Sequence, residues 1–131
     1  MSGAVYHIGE AEAPFERFIL DLPADRPEGT LFLETHGKRR ALPFGFGGHA
    51  AGCFPGYGQF CASCAAWTAP DTLYIRCSLL DELVGTVHFQ FVFSGKSAAV
   101  FLRKTEETYL NEYQGFFNGT AEESFLSAKN A

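Results

Sequence analysis

The sequence predicts an all-β domain: about eight short antiparallel strands forming a barrel or a strongly curved sheet, followed by a short C-terminal helix. Composition is the first observation behind this. The 131 residues include 14 Phe and 14 Gly but a single Met and a single Trp; aromatic side chains suit a pleated, half-buried surface and glycines suit the turns between strands. Period is the second. In "GTVHFQFVF", Val87, Phe89, Phe91 and Phe93 fall on one face and Thr86, His88, Gln90 and Val92 on the other, the alternation of a half-buried antiparallel strand. Closing such strands into a barrel removes exposed edges, with a two-sheet sandwich as the alternative arrangement.

The elements follow in chain order. The apolar run Phe15 to Leu22, closed by Pro23, reads as a strand, and "ADRPEG" as the loop after it. "TLFLETHGKRRALPFGFG" gives a strand at about 30–35, a turn at His36-Gly37-Lys38 and a return strand from Ala41 to Phe44. Residues 45–60, "GFGGHAAGCFPGYGQF", are too glycine-rich for a regular element and too aromatic for a disordered linker, so an ordered, packed loop is expected. "CASCAAWT", "APD" and "TLYIRCSLL" read as a hairpin, and "GTVHFQFVF", "SGKS" and "AAVFLRK" as another. The tail "TEETYLNEYQGFF" reads as a short helix with Thr105 as N-cap and Gly115 as its stop. A second helical stretch at 120–128 opens on the capping-box pattern Thr120-x-x-Glu123. The expected organisation is one β domain over residues 1–119 and a C-terminal tail over 120–131.

A formal charge of −5 and a pI near 5.3 argue against a nucleic-acid partner, since Lys38-Arg39-Arg40 is the only dense basic run. No stretch approaches the ~18 apolar residues that span a bilayer, and no targeting signal is present at the N-terminus. Four cysteines without a disulfide framework favour a reducing, cytoplasmic setting. No cofactor is expected.

Cys61-x-x-Cys64 raises a zinc or redox question. A second knuckle is missing, and a site built from His49, Cys53, Cys61 and Cys64 has irregular spacing. On a strand, Cys61 and Cys64 point to opposite faces, and no strand-to-helix junction activates either thiol. Packed free cysteines are the favoured reading. Among the histidines, His88 on its strand reads as solvent-facing or hydrogen-bonded, and His49 stands out only for its unusual segment. No G-x-S-x-G elbow or phosphate-binding loop is present, and the carboxylates Asp81, Glu82, Glu106 and Glu107 read as turn and surface residues.

Three blocks, "LPFGFGGHAAGCFP", "AAWTAPDTLYIRCSLLDELVGTVHFQFVF" and "VFLRKTEETYLNEYQGFFNG", resemble the C-terminal β domain of bacterial serine hydrolases of the class C β-lactamase and penicillin-binding-protein-like superfamily. The resemblance runs from about residue 2 to 119 and implies a lipocalin-like antiparallel barrel. It also implies a non-catalytic accessory domain, packing on an upstream serine-hydrolase catalytic domain or on a second copy and shaping substrate access. The catalytic S-x-x-K is absent; Tyr109-Leu110-Asn111 and Lys104-Thr105-Glu106 match fragments of the family's other motifs without a nucleophile. The competing expectation is a free-standing barrel for a small apolar ligand. For either role the expected docking or ligand surface is Phe44, Phe46, His49, Phe54, Tyr57 and Trp67.

Overall fold

The computed structural model describes residues 3–10, 13–54, 60–80, 84–105 and 113–121. They form ten strands: β1 (Val5–Ile8), β2 (Arg17–Asp21), β3 (Glu28–Thr35), β4 (Lys38–Phe46), β5 (Ala50–Cys53), β6 (Phe60–Ala69), β7 (Thr72–Leu80), β8 (Val84–Ser94), β9 (Ser97–Lys104) and β10 (Gly115–Ala121). Neighbours pair in the order β4-β3-β2-β1-β10-β9-β8-β7-β6-β5, and β4 also meets β6. Nine strands thus close a ring, and β5 pairs with the same edge of β6 that β4 reaches. Every pairing is antiparallel except the short closing contact, Gly45 to Cys64 and Phe46 to Ala65. No helix occurs among the described residues, and none there is long and apolar enough to cross a membrane.

Local chemistry sets the turns. His36 and Gly37 both take positive φ, 52° and 79°, between the paired Thr35 and Lys38. That is the type I′ pattern, whose twist matches the flanking strands. The reversal from β4 to β5 is tighter: a Cβ on Gly45 would lie 2.5 Å from the Gly48 carbonyl oxygen, so only glycine lets the chain fold back onto the edge of β6.

Alternation fills the lumen. Leu31, Leu42, Ile75, Val87, Phe91 and Val100, drawn from five different strands, have no solvent-accessible surface, which leaves no water-sized space against them. Rings join the two walls. Tyr6 stacks on Phe18 at 4.9 Å, and Phe18 meets Phe91 at 4.9 Å. Phe89, Phe91 and Phe93 continue as a ladder at 6.3 Å spacing, and Tyr113 caps Phe89 at 6.0 Å. Each fully buried Phe contributes roughly 1.5–3 kcal/mol of transfer free energy. A ring of about eight strands has an interior just wide enough for side chains to fill, and here phenylalanine fills it.

The sequence expectations need four corrections. The strands number ten rather than about eight, because β5 lies inside the glycine-rich 45–60 segment expected as a loop. The tail boundary moves: Thr120 and Ala121 belong to β10, where Ala121 pairs with Tyr6 and Thr120 with Ser97. Gly115 opens that strand instead of stopping a helix. Thr105 is no N-cap, since its amide donates to the Thr86 carbonyl at 3.0 Å and its hydroxyl accepts from the Thr86 amide at 2.9 Å, extending the β8–β9 ladder. Residues 106–112 of the helix expected between Thr105 and Gly115, with the motif Tyr109-Leu110-Asn111, and most of the stretch 120–128 lie outside the described residues.

Candidate functional site

The outer face of β7–β10 is built by the same alternation that fills the lumen. Burying Leu73, Ile75, Cys77 and Leu79 turns Tyr74 and Arg76 outward; burying Val87, Phe89 and Phe91 turns His88 and Gln90 outward. On β9 and β10 the outward residues nearest to these are Phe101, Arg103 and Phe116. Register then arranges them in rows. Arg76 pairs with His88 and His88 with Arg103. In the next row Tyr74 pairs with Gln90, Gln90 with Phe101, and Phe101 with Phe116. A cationic row therefore runs beside an aromatic one.

The aromatic row, with His88 and Arg103 of the cationic one, lines a groove of about 480 Å³, and Arg76 stands outside this lining at the end of its row, paired with His88. Phe101 and Phe116 wall it at 42% and 50% exposure, with ring centroids 4.8 Å apart. At the other side Tyr74 stacks on the His88 imidazole at 5.6 Å, and a hydrogen bond joins Tyr74 Oη to His88 Nδ1. Burial pushes the His88 pKa below its ordinary value, and the Arg103 and Arg76 guanidiniums push it further down. The ring is thus held neutral between two fixed positive charges. A smaller recess of about 190 Å³ opens between Arg26, Glu28, Pro43 and Ala51.

The residues singled out from sequence do not assemble. Phe44 and Phe54 are core side chains at 0% and 1% exposure, so the surface expected at these two positions is not where they lie. They were drawn into the lumen by the strands that the glycine-rich segment conceals. Phe46 is half-buried with its ring edge-on to Phe44 at 5.6 Å. His49 is exposed in the reversal before β5, and Tyr57 lies outside the described residues. Trp67, 41% exposed, sits near the β6–β7 turn with its ring 6.5 Å from Phe93.

Cys61 and Cys64 take opposite faces, Cys61 in the lumen and Cys64 partly exposed outside, and all four cysteines are free. No group of three or more His, Cys, Asp or Glu among the described residues could hold a metal ion. Inside the barrel, the hydrogen bond with the neighbouring Cys61 sulfur and then burial raise the Cys77 thiol pKa. Ser63 faces this thiol pair, and its buried hydroxyl finds no conventional hydrogen-bond partner, thiols being weak ones. Sequence reasoning placed His88 as solvent-facing or hydrogen-bonded but passed over Tyr74, Arg76, Phe101, Arg103 and Phe116. Their signal was the i, i+2 pairing of polar and aromatic residues opposite the buried face of each strand.

No family model and no curated protein matches this chain. Solved structures do. The chain is similar in fold to the fatty-acid-binding protein isolated from Manduca sexta, with a TM-score of 0.59 and 11% identity over 92% of this chain and 98% of that one. It is also similar to fatty-acid-binding protein 1 of Echinococcus granulosus, with a TM-score of 0.59 and 11% identity over 80% of this chain and 70% of that one. At such identity the likeness concerns the barrel fold.

Proposed function

We propose that this chain is a non-catalytic barrel that binds a small apolar molecule, and that the ligand lies on the outer wall of β7–β10. The single observation carrying this reading is the outer groove of about 480 Å³, where aromatic walls meet convergent polar groups from Tyr74, His88, Gln90 and Arg103. Ligand sites are typically recesses of this size, mostly apolar with a few placed polar groups. The fold likeness to two fatty-acid-binding proteins supports a binding role over a catalytic one, while the filled lumen favours the outside of the barrel. The test is amide chemical-shift mapping of the ¹⁵N-labelled protein with phenyl-naphthylamine, an uncharged aromatic probe. Saturable shifts at Gln90, Phe101 and Phe116, with Leu31 and Leu42 unmoved, are expected; absence of saturable binding at the outer wall would sink the reading.

The second reading keeps the sequence resemblance: an accessory domain that packs on a serine-hydrolase catalytic domain. The blocks around Trp67 to Phe93 support it, as do the exposed Phe60 and Trp67, which give β6 apolar side chains on the surface. On this reading a fluorescent β-lactam leaves the chain unlabelled, and stoichiometric labelling would exclude it.

A further inference from the structure

We propose that the outer groove is a site for a small amphiphilic organic anion. Its acidic head lies over the Arg76–His88–Arg103 row, and its aromatic or aliphatic body lies on Phe101 and Phe116. This deepens the outer-wall reading above and rests on it.

The argument is one of charge and register. The chain carries a formal charge of −5, yet among the described residues no Asp or Glu occupies an outward position on β7–β10. Arg76 and Arg103 flank His88 in one row. Two strand spacings separate them, about 10 Å between Cα atoms, and neither makes an ion pair among the described residues. Long guanidinium side chains at that separation can converge on an anion placed over the histidine, and each offers a planar fork of donors to a carboxylate or sulfonate. The adjacent row supplies the apolar seat: Phe101 and Phe116 are far more exposed than the other phenylalanines around them, and they contact each other. Head and body are therefore specified by neighbouring rows of one sheet face.

Histidine makes the site sensitive to pH. The groups that face His88 are Tyr74 and Arg76 from β7, Gln90 on its own strand and Arg103 from β9, with Cys64 of β6 beside Arg76. Both charged neighbours are positive, so the free protein disfavours imidazolium. A bound anion reverses that balance and raises the His88 pKa, so binding takes up a proton and tightens as pH falls toward 5.

The experiment compares anilinonaphthalene sulfonate with phenyl-naphthylamine, which share an aromatic body and differ by the charged group. Fluorescence titration of the whole chain at low salt and pH 6 is expected to give at least tenfold tighter binding of the sulfonate. Replacing both Arg76→Gln and Arg103→Gln, at exposed positions, should erase that advantage, read as the ratio of the two probes' affinities on the same variant, with far-UV dichroism matching the parent as the check on folding. The His88 ring signal, followed by NMR against pH, should titrate at higher pH with the sulfonate bound and stay put with the uncharged probe. Equal affinity for the two probes, or sulfonate binding indifferent to the double substitution, overturns the proposal while leaving outer-wall binding intact. Failure of both probes to bind there takes down the outer-wall reading itself. Sedimentation with phosphatidylglycerol vesicles, without binding of the free sulfonate, overturns the proposal in favour of a lipid surface.

Discussion

Two rows on opposite walls of the barrel are built from nearly the same residues and behave differently. Across β2, β3 and β4, register aligns Arg17, Glu34 and Arg39; across β7, β8 and β9 it aligns Arg76, His88 and Arg103. In the first row the central carboxylate closes on both guanidiniums, at 3.4 Å to Arg17 and 2.6 Å to Arg39, and the Arg39 guanidinium also lies 5.6 Å from the Phe32 ring centroid. In the second the central residue is a histidine held neutral, and the positive charges stay open. One central residue decides whether an arginine row is a closed structural clasp or a surface with charge left to offer.

The lumen is what both walls share, and removing its central ring should have the largest effect. Phe91 is fully buried and contacts Phe18 of the other wall at 4.9 Å. Phe91→Ala is expected to cost about 3–5 kcal/mol from lost burial plus the cavity left behind, measured by urea unfolding. Tryptophan fluorescence from Trp67 and far-UV dichroism should lose structure in one coincident transition. Two separated transitions would show that the walls are energetically independent, and the comparison would then be between two units instead of two faces.

Opening the closed row is the next test. Glu34 has a side chain only 13% exposed, between arginine side chains that are 42% and 55% exposed. Glu34→Gln leaves two arginines facing a neutral centre, as His88 does on the other wall. A loss of about 1–2 kcal/mol is expected, between the values for exposed ion pairs and for hydrogen bonds to charged groups. The loss should shrink as salt rises. A neutral outcome would mean that the row contributes register but no measurable stability.

The β class and the barrel were legible in the sequence because period 2 is written plainly where large residues alternate, as in Val87 to Phe93. The two short elements were not. β5 is "AAGC", four small residues that carry no contrast between faces, and β10 alternates Phe117, Gly119 and Ala121, so two of its three inward positions have little hydrophobic bulk. Such strands are held by their neighbours' pairing more than by their own pattern. The expected surface failed for a related reason: Phe44 and Phe54 look like exposed loop aromatics until β4 and β5 turn them inward. The groove needed information that one strand cannot hold. Tyr74, Arg76, His88, Phe101, Arg103 and Phe116 span 43 positions (116 minus 74, plus 1), and only the register of three strand pairs makes them neighbours.

The smallest expected effect concerns the open row's histidine, and its sign is fixed by the environment. Burial and two arginines depress the His88 pKa in the folded chain, whereas in the unfolded chain it titrates near 6.5. Between those two values the unfolded state binds more protons. Stability is therefore full above pH ~6.5, falls as pH is lowered toward the depressed folded value, and levels off beneath it. The imidazole is half-buried but the two guanidinium side chains beside it are exposed to solvent, so screening limits the loss to about 1 kcal/mol. Urea midpoints across pH 5 to 7.5 measure it. His88→Gln, which keeps a polar partner for Tyr74 and cannot charge, should flatten this part of the profile. If His88→Gln leaves the slope unchanged, the proton uptake belongs elsewhere on the barrel, and the open row would lose the pH sensitivity that separates it from the closed one.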